Sequence, residues 1–269
     1  MSGTLITFIG AGNMADALIR GLLARGVRRP GEVLATDVSP ERREAMAARH
    51  GIRTSADNAA ACEGADWVVL AVKPQVLPDV LKALAGRLSP AARVLSIAAG
   101  IRTAKIEDAL GGAPRVVRAM PNTPALVGRG ASALCAGRHA RPADLDEAER
   151  LLSAVGLVVR VGEDDMDAVT ALSGSGPAYV FVLVEAMLAA AARMGLEPAT
   201  ARALTRATVA GAAELLAPDD ADPSELRRRV TSKGGTTEAA LRVLDDRHVM
   251  ESIVQAIRRA QERSRELAR

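Results

Sequence analysis

Leu5-Ile6-Thr7-Phe8-Ile9 leads directly into Gly10-Ala11-Gly12-Asn13-Met14-Ala15, and behind it Ala17, Leu18, Gly21 and Leu22 recur at helical spacing until Gly26. A short apolar run closed by glycine reads as a strand, and the spacing that follows reads as a helix. Strand, tight turn and helix in immediate succession point to a parallel β-α-β architecture whose first turn faces a pyrophosphate. Gly10 permits the turn, Gly12 lets the backbone approach the phosphates, and Ala15 sits where the helix passes close to the strand. The competing interpretation is a glycine-rich turn that binds nothing. Asp37 closes the second apolar run, 22 residues after Ala15. An acidic residue there accepts hydrogen bonds from ribose hydroxyls and disfavours a 2′-phosphate. Ser39, Arg42 and Arg43 follow at once and suit that phosphate if Asp37 turns away, so NAD and NADP both stay open. Arg43 fits a solvated first turn of helix equally well.

Further runs at 33–36, 67–72, 94–98 and 116–119 alternate with helical patterns, and two later ones, 131–135 and 158–161, flank a helix expected from Pro142 to Val155. Strands separated by helices imply a mostly parallel sheet. After Gly162-Glu163-Asp164-Asp165 no strand pattern recurs. At 269 residues the chain suits two domains, expected at 1–165, a Rossmann-type dinucleotide-binding domain of the α/β class, and 166–269, an all-α domain. The segment from Gly176 to Met194 is apolar on nearly every face, with Gly195 as its stop. Its core, 178–192, is broken by Glu185 and shorter than the roughly 20 residues a bilayer core requires. It reads as a buried helix, covered by a second copy of the chain rather than inside one subunit.

Composition removes several function classes. Apolar residues at 49% and charged residues at 25% exclude a disordered, collagen-like or coiled-coil chain. Phe8, Trp67, Tyr179 and Phe181 are the whole aromatic complement, too few for a stacking platform for nucleic acid. The 35 basic and 32 acidic residues are interspersed, so no nucleic-acid partner is expected. Met1 to Thr7 lacks a positive n-region, which argues for a cytoplasmic protein with no membrane association. Cys62 and Cys135 show no metal or disulfide spacing and read as buried free thiols. His50, His139 and His248 lie far apart, so no metal site is expected.

Ala71-Val72-Lys73-Pro74-Gln75 places a lysine at the carboxyl edge of the sheet, where open α/β sheets bind ligands. Together with Phe-Ile-Gly-Ala-Gly-Asn-Met (8–14), Ala-Ala-Gly-Ile (98–101), Met-Pro-Asn-Thr-Pro (120–124), Ser-Gly-Ser-Gly-Pro-Ala-Tyr (173–179) and Val-Thr-Ser-Lys-Gly-Gly-Thr-Thr-Glu (230–238), it resembles the pyrroline-5-carboxylate reductases in motif order and over nearly the whole chain. Lys233 stands where that family often has proline. The resemblance implies reduction of 1-pyrroline-5-carboxylate to L-proline with NADPH, NADH being the alternative donor. It implies cofactor contacts from Gly10, Ala11, Gly12, Asn13, Met14, Asn58, Ala71, Val72, Lys73, Pro74 and Ala99, with Asn122 near the nicotinamide. Substrate contacts would come from Gly235, Thr236 and Thr237, with Thr237 nearest the ring nitrogen. It further implies a homodimer through the C-terminal helices, and a ring of such dimers.

The residues suit that chemistry. Reducing a cyclic imine takes a held hydride donor, a cradle for the carboxylate and a hydrogen bond to nitrogen, with no nucleophile or metal. Gly234-Gly235-Thr236-Thr237 precedes a helical pattern at 239–244, so backbone N–H groups at a helix start offer the cradle. Thr237 can polarise the nitrogen; the competing role for Thr236 or Thr237 is helix capping. Ser175 is either a substrate contact or the cap of the apolar helix that starts with Pro177, and Ser173 is not ranked against it. Two other functions share the layout: a β-hydroxyacid dehydrogenase, which would want a lysine near the start of the long helix, where none occurs, and a non-catalytic dinucleotide sensor, which would not need the Gly-Gly-Thr-Thr loop.

Overall fold

The computed structural model describes residues 5–218 and 220–268, so the first four residues of the segment read for a targeting signal lie outside the described residues. The chain forms two compact units, one running through Ser175 and resuming at Ala260, the other Gly176–Arg259.

The first unit is built on β1 (Ile6–Ile9), β2 (Val33–Thr36), β3 (Arg53–Ser55), β4 (Trp67–Leu70), β5 (Arg93–Ser96), β6 (Arg115–Met120), β7 (Gly130–Ala136) and β8 (Gly156–Arg160). These make one sheet in the order β3-β2-β1-β4-β5-β6-β7-β8, parallel throughout except where β7 runs against β6. The exception follows from the linker. Only a single 3₁₀ turn, Thr123–Val127, joins β6 to β7, and a parallel return needs a crossover of a dozen or more residues. The helices α1 (Asn13–Ala24), α2 (Pro40–His50), α3 (Asn58–Ala61), α4 (Leu77–Leu84), α5 (Thr103–Leu110) and α6 (Pro142–Leu152) supply the other connections. All four residues of β1 and all four of β4 are buried, as a parallel sheet covered on both faces demands, and Trp67 and Phe8 are the largest fully buried side chains. The doubly wound α/β class expected from the alternation is therefore the fold. β3 escaped the sequence reading because Arg-Thr-Ser carries no apolar signal; it is an edge strand held by its pairing with β2.

Two sequence features set α1 in place. Gly10 has φ +101°, and a Cβ there would lie 2.8 Å from the Ala71 carbonyl oxygen, so no other residue permits this turn beside β4. Gly21 is where α1 approaches the start of β8 most closely, since a Cβ on it would meet Val155 Cγ1 at 2.5 Å. The helix α2 begins with Ser39 accepting the Arg42 N–H and ends at Gly51 in the left-handed region.

Residues 163–175 belong with the first unit although their pattern is helical. The Glu163 carboxylate accepts hydrogen bonds from the N–H (2.7 Å) and hydroxyl (2.8 Å) of Thr103, and Asp167, on α7 (Met166–Val169), accepts one from Ser264 at 2.6 Å, both groups being buried. The sequence change at 165 and the change of unit at 175 are separate events.

The second unit contains α8 (Gly176–Arg193), α9 (Pro198–Leu215), α10 (Pro223–Arg229), α11 (Thr236–Asp246) and the start of α12 (Val249–Ala268). α8 packs on α9, burying Ala191, Ala201 and Thr205. The apolar segment is not buried within the chain: Phe181 is 60% and Val182 62% exposed. The helical run through it, Glu163–Arg193, is 31 residues long and apolar enough, by length and composition, to cross a membrane. Four of its first five residues are acidic, however, and it is interrupted by a π-helical turn at Thr170–Gly174 and by Pro177.

Cys62 and Cys135 are buried free thiols, as the spacing suggested. Burial pushes both up to about 12, so neither is a nucleophile near neutral pH.

Candidate functional site

The sheet order reverses between β1 and β4, and the carboxyl ends of the strands there open into a cavity of about 710 Å³. This is where ligands bind open α/β sheets. Gly10, Ala11, Gly12, Asn13 and Met14 form one wall, Asn58 another, and Ala71, Val72 and Lys73 a third. A larger recess of about 990 Å³ opens near Ala92 and Arg115, at the amino ends of β5 and β6, and contains none of the expected site residues.

Gly12 is the N-cap of α1 and has no side-chain cap, so the first-turn N–H groups point outward unpaired. A Cβ at Gly12 would meet nothing within 4 Å, which leaves room for a phosphate against the backbone. Thr36 Oγ1, 2.6 Å from Asn58 Oδ1, holds that amide in the wall. Pro74, Ala99 and Asn122 do not line the cavity; Ala99 is exposed in the loop after β5, and Asn122, next to the lining residue Pro121, is buried.

Asp37 does not turn away. Its Oδ2 accepts the Ala11 N–H at 3.0 Å and its Oδ1 the Ser39 N–H at 3.0 Å, and its side chain is 8% exposed on the cavity floor. Burial alone would raise its pKa. The two N–H groups and the Arg42 guanidinium, 3.6 Å away, outweigh burial and hold the carboxyl below the usual range. Ser39 is committed to capping α2, and Arg43 donates to the Asp37 and Val38 carbonyls. Sequence reasoning missed Arg49, which lines the same cavity two turns along the same face of α2 from Arg42 and donates to Asp16 at 2.8 Å. The seven-residue spacing from Arg42 was the signal for it.

In the second unit, Gly235 is the N-cap of α11 and no side chain caps the helix. Thr236 and Thr237 are its first two residues, so neither is the cap that sequence reasoning offered as their competing role. The Glu238 carboxylate folds back to accept the Gly234 N–H at 2.9 Å. Ser175 has helical backbone angles, φ −83° and ψ −17°, rather than the extended ones of an N-cap, and its N–H closes the π-helical turn on the Thr170 carbonyl at 2.9 Å.

A family profile described as pyrroline-5-carboxylate reductase dimerisation matches residues 163–267, and one described as NADP oxidoreductase, coenzyme F420-dependent, matches 5–100. The pyrroline-5-carboxylate reductase of Pseudomonas aeruginosa is 46% identical, over 100% of this chain and 98% of its own. The chain belongs to the pyrroline-5-carboxylate reductase family. A solved reductase of this family from Coxiella burnetii superposes with a TM-score of 0.92 at 41% identity, covering 99% of each chain. One from Plasmodium falciparum, described with NADP bound, gives 0.90 at 27% identity over 100% of each. Both full-length matches place the two-part architecture, an oxidoreductase sheet followed by a helical dimerisation region, within the pyrroline-5-carboxylate reductase family. Membership also disposes of the β-hydroxyacid dehydrogenase assignment.

Proposed function

We propose that this protein reduces the C5=N imine of 1-pyrroline-5-carboxylate to give L-proline, using a nicotinamide dinucleotide held at the β1–β4 switch point. The single observation that carries the reading is that one chain has both an open turn at Gly12 with no side-chain cap and an α11 with no side-chain cap whose first residues are the two threonines. The dinucleotide supplies the hydride. Gly10 to Met14 would hold its pyrophosphate, with Asn58 and Ala71 to Lys73 as the flanking walls. The N–H groups at Thr236 and Thr237 would hold the substrate carboxylate, because a helix start carries unpaired donors and a partial positive charge, while Gly235, whose own N–H donates to the Ser232 carbonyl at 3.0 Å, would contact the substrate through its bare Cα. The Thr237 hydroxyl donates to the ring nitrogen and orients the imine, and Ser175 serves as a further substrate contact. Water exclusion is left to aliphatic walls, since Tyr179 and Phe181 are the nearest thing to an aromatic surface in the second unit.

Asp37 supports NADH over NADPH, which reverses the order the family resemblance suggested. Its ionised carboxylate suits ribose hydroxyls and opposes a 2′-phosphate, whereas Arg42 and Arg49 on the same wall are the features that would favour the phosphate. Mixing the protein with pyrroline-5-carboxylate and either reduced cofactor tests the activity: substrate-dependent loss of the reduced-nicotinamide absorbance is expected, and none with either cofactor would sink the proposal.

The exposed face of α8 fits a homodimer through the C-terminal helices, and a ring of such dimers is the larger assembly we expect in a cytoplasmic enzyme. Phe181→Asp is expected to shift the sedimenting species toward the 28.0 kDa monomer; an unchanged assembly would exclude this face from the interface.

A further inference from the structure

Asn122 was expected beside the nicotinamide, yet its side chain is spent elsewhere. It is 9% exposed; its Oδ1 accepts the Ala131 N–H at 2.8 Å, and its Nδ2 donates to the Ser173 carbonyl at 3.1 Å. The amide is suited to this, since it carries an acceptor and a donor on the same carbon. The Ser173 carbonyl needs such a donor for a reason written in the sequence. In a continuing helix its partner would be the N–H of residue 177, and Pro177 has none. The turn before it is π-helical, with the Ser175 N–H bonded five residues back to Thr170 and the Ser173 hydroxyl donating to the Val169 carbonyl at 3.0 Å. π-Turns of this kind recur at functional sites.

This bridge fixes a wall of the cavity. Met120 and Pro121, which precede Asn122, line it at the β6 edge, away from Asp37 and toward the half of the switch point that takes the second nucleotide. Gly174 lies directly on Met120: a Cβ at Gly174 would come within 2.6 Å of the Met120 Cε. Asn122 therefore ties three backbone segments, the end of β6, the start of β7 and the π-turn, into one surface behind Met120.

We infer that Asn122 is a positioning residue: by bridging Ala131 and Ser173 it clamps the π-turn against Met120 and Pro121 and so fixes the wall that receives the nicotinamide half of the cofactor, without touching the cofactor. This rests on the cavity being the dinucleotide site. The test compares NADH with ADP-ribose, which keeps the adenosine and pyrophosphate and lacks the nicotinamide ring, by titration calorimetry without substrate. Asn122→Ala is expected to weaken NADH at least fivefold while ADP-ribose stays within twofold, and to lower kcat more than it raises the KM for pyrroline-5-carboxylate. Gly174→Ala, which presses on the flexible end of Met120 and leaves the bridge intact, is expected to weaken NADH two- to fivefold with ADP-ribose again unchanged; it decides the matter if Asn122→Ala does not fold. Equal losses for NADH and ADP-ribose, or no loss for NADH in the folded variants, overturn the inference. Failure of the wild type to bind either nucleotide would instead overturn the assignment of the cavity, and binding without turnover would overturn only the proposed reaction.

Discussion

Thr237→Ala lowers kcat/KM for pyrroline-5-carboxylate about 100-fold, in the range that loss of a positioned proton donor or polarising group produces. Its melting temperature stays within about 2 °C of the wild type, because the hydroxyl removed caps nothing and a substitution away from such features costs under about 0.5 kcal/mol. The structure makes this separation possible: the N-cap of α11 is Gly235, and no side chain accepts from its first turn. Had Thr237 been the cap, stability and turnover would have fallen together. Thr237→Ser, which keeps the hydroxyl, should recover most of the loss. Steady-state kinetics with saturating cofactor and a thermal melt on the same preparations decide it. Wild-type kcat/KM in the alanine variant would remove Thr237 from the reaction; a parallel fall in melting temperature would return it to a structural role.

Asp37 carries the second large effect. Wild-type protein is expected to use NADH with a kcat/KM at least tenfold above that for NADPH, and Asp37→Ser to invert the preference. Two unit charges about 4 Å apart repel by about 4 kcal/mol at an effective dielectric near 20, and a third of that is already tenfold in affinity. The carboxylate is in place to exert it, since its two oxygens are fixed by the N–H groups of Ala11 and Ser39 and its pKa is held below the ordinary value. Because the folded-state pKa is depressed, the charge is present throughout neutral and mildly acidic assays, and it and the stability it contributes are lost only as pH falls through that lowered value. Asp37 itself should therefore add no pH dependence to the cofactor preference between about pH 6 and 8, and any change near pH 6 should come from the second ionisation of the 2′-phosphate. Removing the carboxylate also frees Arg42, 3.6 Å away, for the phosphate. Raising salt should narrow the wild-type preference, as screening weakens repulsion between partly exposed charges. A wild type that prefers NADPH would mean that Arg42 and Arg49 outweigh Asp37.

Much of the first unit was legible because local signals there agree with the tertiary outcome. β1 and β4 are continuous apolar runs, as strands buried on both faces must be, and Gly10 marks a backbone conformation that other residues resist. β3 was not legible, since an edge strand of Arg, Thr and Ser is held by pairing and not by burial. Arg49 and Met120 enter the cavity wall only because α2 and β6 are folded against it. Asn122 stood out in the sequence through the family resemblance, but the bonds its side chain makes did not. Its partners, Ala131 and Ser173, are 9 and 51 residues away along the chain, and no local pattern announces a bond of that kind.

The sequence by itself determined the Rossmann-type α/β class, the glycine turn after β1, the helical second half, the apolar character of α8, and the family. Each of these follows from spacing along the chain: period, glycine position, or the order of motifs. Tertiary structure alone decided the orientation of Asp37, the N-cap of α11, the return of Ala260 onward to the first unit, and the capture of the Ser173 carbonyl orphaned by Pro177. Those are choices among hydrogen-bond partners of nearly equal local merit. Which donor meets which acceptor is fixed by the burial of both, and burial is a property of the folded chain.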